Sequence, residues 1–188
     1  VALAFIGQIF LTHALLEEKY GWMVLAIDLY ASLFLIVDLG LPTLIARDGT
    51  KAPSMVSPAV WRTYRWQALA AIPFVLLAVF ARPEDWLNIG APTTLLVLAG
   101  LVALVHVASY APRSGLRVLG EARLEAMTKV VERGLTVAAY AVLASQGSTS
   151  PTAYTAAFLL GATAGWLLAL FWLMRTAPKA QTSASWSD

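Results

Sequence analysis

The sequence predicts an all-α membrane protein, a polytopic bundle of six transmembrane helices. Three observations carry this prediction. Hydrophobic residues make up 59% of the 188 and charged residues only 13%, with a mean hydropathy of +0.71; a soluble domain is nearer half apolar and a quarter charged. Six apolar runs approach the roughly 20 helical residues needed to cross a hydrocarbon core about 30 Å thick. The basic residues, finally, gather in alternate connections, as they do when they are retained on the cytoplasmic side.

The runs are 1–16, 22–46, 66–81, 93–111, 127–145 and 154–174. The first is short and starts without a methionine, so it reads as a helix entered part-way. A cleaved signal peptide fits less well, because no basic segment precedes the run and no small-residue cleavage site follows "LTHALLEEKYG". All the Lys and Arg residues except Lys19 and Arg82 fall between the second and third runs, between the fourth and fifth, at the adjoining helix ends, or in the tail. That bias predicts an even number of crossings with both ends cytoplasmic, and the acidic "EEKYG" and "RPEDWLNIGAP" segments outside. Residues 1–175 then form one transmembrane lobe, and 176–188 a polar tail or linker. Each crossing must satisfy its own backbone hydrogen bonds in lipid, which excludes barrel strands from runs of this kind.

Several chemistries are excluded at this stage. A net charge of +2 and a pI near 9.1 do not indicate nucleic acid, because the basic residues form no single patch with interleaved aromatics. Without cysteine there are no disulfides, thiol catalysis or cysteine-bound metals. No metalloprotease, phosphate-loop or nucleophile-elbow motif occurs, and two histidines on different helices make no ligand set, so the chain is not expected to be an enzyme.

Polar residues inside the crossings therefore hold the interest, because a charge at mid-bilayer costs roughly 2.5–3.5 kcal/mol and usually faces a bundle interior or a watery cavity. Asp28 lies near the outer end of the second run, with Ser32 one turn further along the same face. Asp38, ten residues on, falls roughly 80° round at about 100° per residue, so both aspartates can line one cavity wall. Pro42 cannot donate to the carbonyl of Asp38, which predicts a kinked helix with a free acceptor beside a carboxylate. The alternative is structural: Asp38 pairs with an arginine of a neighbouring helix or sits within reach of Arg47, and Asp28 is simply wet. His106 can carry a proton or can pack as a hydrogen-bonded core residue; His13 and Gln8 read as interhelical hydrogen-bonding groups. The "GATAG" of 161–165 permits close helix approach, within one bundle or between two.

The most densely charged stretch, 112–134, predicts an i,i+4 pair of Glu125 with Lys129 and another of Arg117 with Glu121. It reads either as a solvated cytoplasmic hairpin or as a place where Arg117 and Arg123 meet a phosphate through two-point guanidinium contacts.

Two segments carry a resemblance. "KYGWMVLAIDLYASLFLIVDLGLPTLIARDGTK" and "YAPRSGLRVLGEARLEAMTKVVERGLTVAAYAVL" resemble, respectively, the first two helices and the fourth-to-fifth helix hairpin of the polysaccharide flippases in the multidrug/oligosaccharidyl-lipid/polysaccharide exporter superfamily. The resemblance implies a transporter that moves a polyprenyl-pyrophosphate-linked glycan between the leaflets of a bacterial plasma membrane by alternating access. Members carry two lobes around a central, often cationic cavity, so this chain corresponds to the N-terminal lobe and implies a second lobe or a second copy as partner, besides membrane lipid. The resemblance also implies substrate contacts at Arg47, Arg117 and Arg123, and a cavity or ion-coupling role for Asp38, with H⁺ or Na⁺ as the coupling ion and no other cofactor. Asp28 and Ser32 join that group on the helical-face argument alone, and His106 as a proton carrier. A multidrug or cation exporter of the same superfamily and a non-transporting scaffold or partial subunit are the competing readings.

Overall fold

The computed structural model describes residues 2–38, 40–80 and 91–178, and every regular element among them is helical. The order is α1 (Ala2–Ala14), α2 (Glu17–Asp38), α3 (Leu41–Gly49), a single 3₁₀ turn (Pro53–Met55), α4 (Val56–Phe80), α5 (Thr93–Val118), α6 (Ala122–Ser145) and α7 (Pro151–Thr176). Three of these, α2, α5 and α7, are long and apolar enough to cross a membrane. With 13 residues, α1 spans about 20 Å. α6 is long enough, but Lys129, Glu132 and Arg133 interrupt its apolar run. The outer segment expected at 82–92 and the tail at 176–188 lie largely outside the described residues.

The second apolar run is divided, contrary to expectation. α2 ends at Asp38, and Gly40 takes a left-handed φ of +67°, a conformation a Cβ would resist. Pro42 then stands in the first turn of α3, where a missing N–H costs no helical bond. Glycine, not proline, breaks the helix. The other difference is length: α4 starts ten residues before the predicted run, and α5 continues beyond Ala111 to Val118, so Arg62, Arg65, Arg113 and Arg117 are helical residues instead of loop residues.

A carbonyl freed by a proline does occur, but at a different proline. Pro112 lies within α5 and leaves the Ala108 carbonyl without its helical donor. The Tyr64 hydroxyl of α4 donates to that carbonyl at 3.0 Å, and the Trp166 indole N–H of α7 donates to the Tyr64 oxygen, also at 3.0 Å. Three helices are tied at one proline, as backbone groups freed inside a membrane helix require. Tyr64→Phe is expected to lower resistance to unfolding in mixed micelles by about 1 kcal/mol, while Tyr64→Phe combined with Pro112→Ala loses less than the two changes summed.

Packing orders the ends. Ile45, Val56, Val60, Ala111, Leu116, Ala169 and Leu173 form one core, which gathers the ends of α3, α5 and α7 with the start of α4. Arg47, Arg117 and Arg175, all in last turns, therefore emerge at one end of the bundle. A second core of Leu11, Leu15, Met23, Tyr140 and Tyr154 forms the opposite end, where the Lys19 ammonium reaches the Thr149 carbonyl at 3.4 Å. Between them Ala26, Tyr30, Phe34, Ala99 and Ala103 pack α2 on α5, with the Tyr30 ring against Gly100. On the other side of the molecule Gly161 and Gly165 let α7 touch the backbone of α6, so the small-residue stripe serves packing within the bundle.

Candidate functional site

On α6, Glu125, Thr128, Glu132, Thr136 and Tyr140 recur at helical spacing and are all buried. Within this stripe Thr128 and Thr136 satisfy themselves on carbonyls of their own helix, at 2.7 and 2.8 Å. The two glutamates face outside partners.

Glu132, only 2% exposed, is the centre of the site. Arg113 of α5, itself 7% exposed, donates to its Oε2 at 2.5 Å. His106, two turns earlier on α5, brings Nε2 within 3.4 Å of Oε1, and the neighbouring Arg133 brings Nε within 3.6 Å of the same oxygen. Phe158 of α7 holds both of these side chains: the His106 ring meets it edge-on at 5.2 Å, and the Arg133 guanidinium lies 5.5 Å over its centroid. Among the described residues, Arg113 Nε and His106 Nε2 are buried without a hydrogen-bond partner. These groups line a cleft of about 640 Å³ that also touches Ala2–Ala4 of α1, Ser109, Tyr110 and Lys129. Arg113, Lys129 and Arg133 line it with Glu132, so the lining is net cationic even though Lys129 is also paired with Glu125.

Towards the basic end, one turn beyond Arg113 on α5 and two turns before Glu132 on α6, stands a second ion cluster. Arg117 grips Glu125 with two donors, Nε at 3.0 Å and Nη2 at 2.5 Å, and Lys129 adds a contact at 3.1 Å. The Arg117 hydrogen bonds hold the Glu125 carboxyl below its ordinary range despite its burial. The predicted Glu125–Lys129 pair is present, whereas Arg117 turns to Glu125 and not to Glu121. Glu121 instead occupies the N-cap position of α6, beyond the turn at Gly120.

The residues expected from the sequence are distributed over several regions. His106 belongs to the Glu132 cluster. Asp28 is exposed and lines a smaller cavity of about 220 Å³ together with Gln8 and Arg133. Ser32 is exposed on α2. Asp38 is half-buried and accepts from the Gln67 amide of α4 at 3.2 Å. Its side-chain partner on α4 is thus an amide, not the arginine considered above, and among the described residues Asp38 is not one of those that line the Asp28 cavity. Arg47 and Arg123 are exposed, and Arg117 has its fork occupied by Glu125.

Glu132, Arg113 and Arg133 were not singled out from the sequence. The available signal was the spacing of Glu125, Thr128, Glu132 and Thr136 along an otherwise apolar run, which places four polar side chains on one face. Among the described residues no group of three His, Asp or Glu side chains is arranged to hold a metal ion. Comparisons of the chain with protein-family models, with curated proteins and with solved structures give no match. Fold and site together define a class, a bundle of apolar helices with a buried ion cluster beside a cationic cleft.

Proposed function

We propose that the chain is one six-crossing lobe of a transporter that moves a lipid-linked oligosaccharide or polysaccharide precursor across a bacterial plasma membrane by alternating access, with both ends of the lobe cytoplasmic. The observation that carries this reading is the cleft of about 640 Å³ in which Arg113, Lys129 and Arg133 outnumber Glu132. A cleft of one sign with low-dielectric walls concentrates ligands of the opposite sign, and the head group of a lipid-linked glycan is anionic. Apolar helices α2, α5 and α7 support insertion in the bilayer. Arg47, Arg117 and Arg123, at or next to the basic end, would draw the anion to the mouth, and a second lobe or second copy would supply the facing wall. Asp28, Asp38, Ser32 and His106 are the groups through which H⁺ or Na⁺ would couple.

The test is transfer of a fluorescent, short-chain isoprenyl-pyrophosphate glycan across proteoliposomes that contain the whole chain. Transfer that falls about tenfold or more in Arg133→Ala, a loss on the scale of one charge-assisted hydrogen bond, is the expected result. Flux of a small cationic dye without glycan transfer would replace this reading with a cation or multidrug exporter, for which the carboxylates of Asp28 and Glu132 would be the binding groups. Movement of neither would leave a scaffold or partial subunit.

A further inference from the structure

We infer that His106, Arg113 and Arg133 form a binding site for a phosphate or pyrophosphate group, and that Glu132 is the resident counter-ion which an incoming phosphate must displace from Arg113. The inference shares its cleft with the reading above but requires no transport.

Donor capacity in the cleft is unmet. Arg113 is 7% exposed, and its Nη2 is spent on Glu132 while its Nε has no partner among the described residues. His106 Nε2 lies 3.4 Å from Glu132 Oε1 yet is not aligned to bond with it. The Arg113 Nε–H, buried without an acceptor, carries a desolvation cost that an anion in the cleft would recover. A single carboxylate has two oxygens, and Glu132 spreads them over Arg113, His106 and Arg133. A phosphate presents more oxygens to the same donors, and guanidinium forks match its geometry.

Charge selects among anions. The lining sets Arg113, Lys129 and Arg133 against Glu132, and Lys129 is also paired with Glu125, so a net positive charge of about one to two faces an anion, close in magnitude to what a phosphate monoester carries near neutrality. Once Glu132 turns away, a pyrophosphate is matched more fully. The site is also rigid on its cationic side, because Phe158 fixes His106 and Arg133 and the α6–α7 glycine contact fixes the backbone at Glu132. Preorganised donors lose little freedom on binding, which favours affinity.

The experiment is isothermal titration of the whole chain in detergent with inorganic pyrophosphate, and in parallel with a short-chain isoprenyl pyrophosphate. Glu132→Gln is expected to raise affinity for inorganic pyrophosphate about tenfold by removing the competing charge. His106→Gln and Arg133→Ala are expected to lower it by a similar factor, and Lys19→Ala, at the opposite end, to leave it unchanged. The last two site variants alter partly exposed side chains, so they decide the matter if Glu132→Gln does not fold. Equal or weaker binding by Glu132→Gln, or wild-type binding by both His106→Gln and Arg133→Ala, would overturn the site. Binding of the isoprenyl compound without inorganic pyrophosphate would overturn it too, because the tail would then be what is recognised. Pyrophosphate binding with all the expected changes, but no glycan transfer in proteoliposomes, would establish the site and remove the transport reading instead.

Discussion

Arg113→Ala is expected to destabilise the bundle by about 3–5 kcal/mol, the cost of leaving a buried carboxylate without the partner that compensates it. Glu132 is 2% exposed, and Arg113 is its closest cation. Of its other neighbours, His106 is unaligned and Arg133 lies at 3.6 Å, so neither replaces the lost hydrogen bond. Glu132→Ala should cost a similar amount, because it leaves the buried Arg113 guanidinium without its carboxylate. Arg113→Met with Glu132→Leu should recover most of the loss, since an apolar pair of similar volume removes the desolvation cost on both sides. Denaturation of the three variants in mixed micelles gives a double-mutant cycle. Additive losses would mean that the two side chains do not stabilise each other, and the ion cluster would then not be the structural centre of α5 and α6.

How far the sequence makes this molecule legible depends on which interaction decides each feature. Helix positions followed from hydropathy: α5 starts at Thr93 as predicted, and α6 ends at Ser145 as predicted. Helix ends on the basic side did not, because Arg62, Arg113 and Arg117 were assigned to connections by charge, while the backbone continues through them as helix. Charge marks the edge of a membrane, whereas hydrogen bonding marks the edge of a helix. Asp38 and His106 were visible as polar residues in apolar runs, but their partners were not, since Gln67 and Glu132 come from other helices. Glu132 and Arg133 were hidden for a different reason. They are consecutive, so as a sequence they resemble one neutralised pair, although on a helix they diverge, Glu132 into the core and Arg133 toward two cavities.

Gly161→Ala is expected to be as damaging as a change of one methyl group can be in this chain. A Cβ at Gly161 would overlap Thr136 Oγ1 and stand 2.7 Å from the Glu132 carbonyl oxygen. The hydroxyl can rotate, but the carbonyl belongs to the α6 backbone, so the two helices must separate. Overpacking of this kind costs about 1–3 kcal/mol, and in lipid no hydrophobic force between helices offsets it, because close packing itself drives their association. The damage reaches the ion cluster. Gly165, one turn along, would place a Cβ 2.8 Å from Glu132 Cβ and 3.1 Å from Arg113 Nη2, so the seam that α7 closes is the one that holds Glu132 against Arg113. Adding Thr136→Ala to Gly161→Ala removes the nearer clash but not the carbonyl, and should restore only part of the loss. Mixed-micelle unfolding reads the stability, and inorganic pyrophosphate titration reads the cluster. Wild-type stability in Gly161→Ala would show that α6 and α7 are not in backbone contact, and the rigid wall assigned to the cleft would go with it.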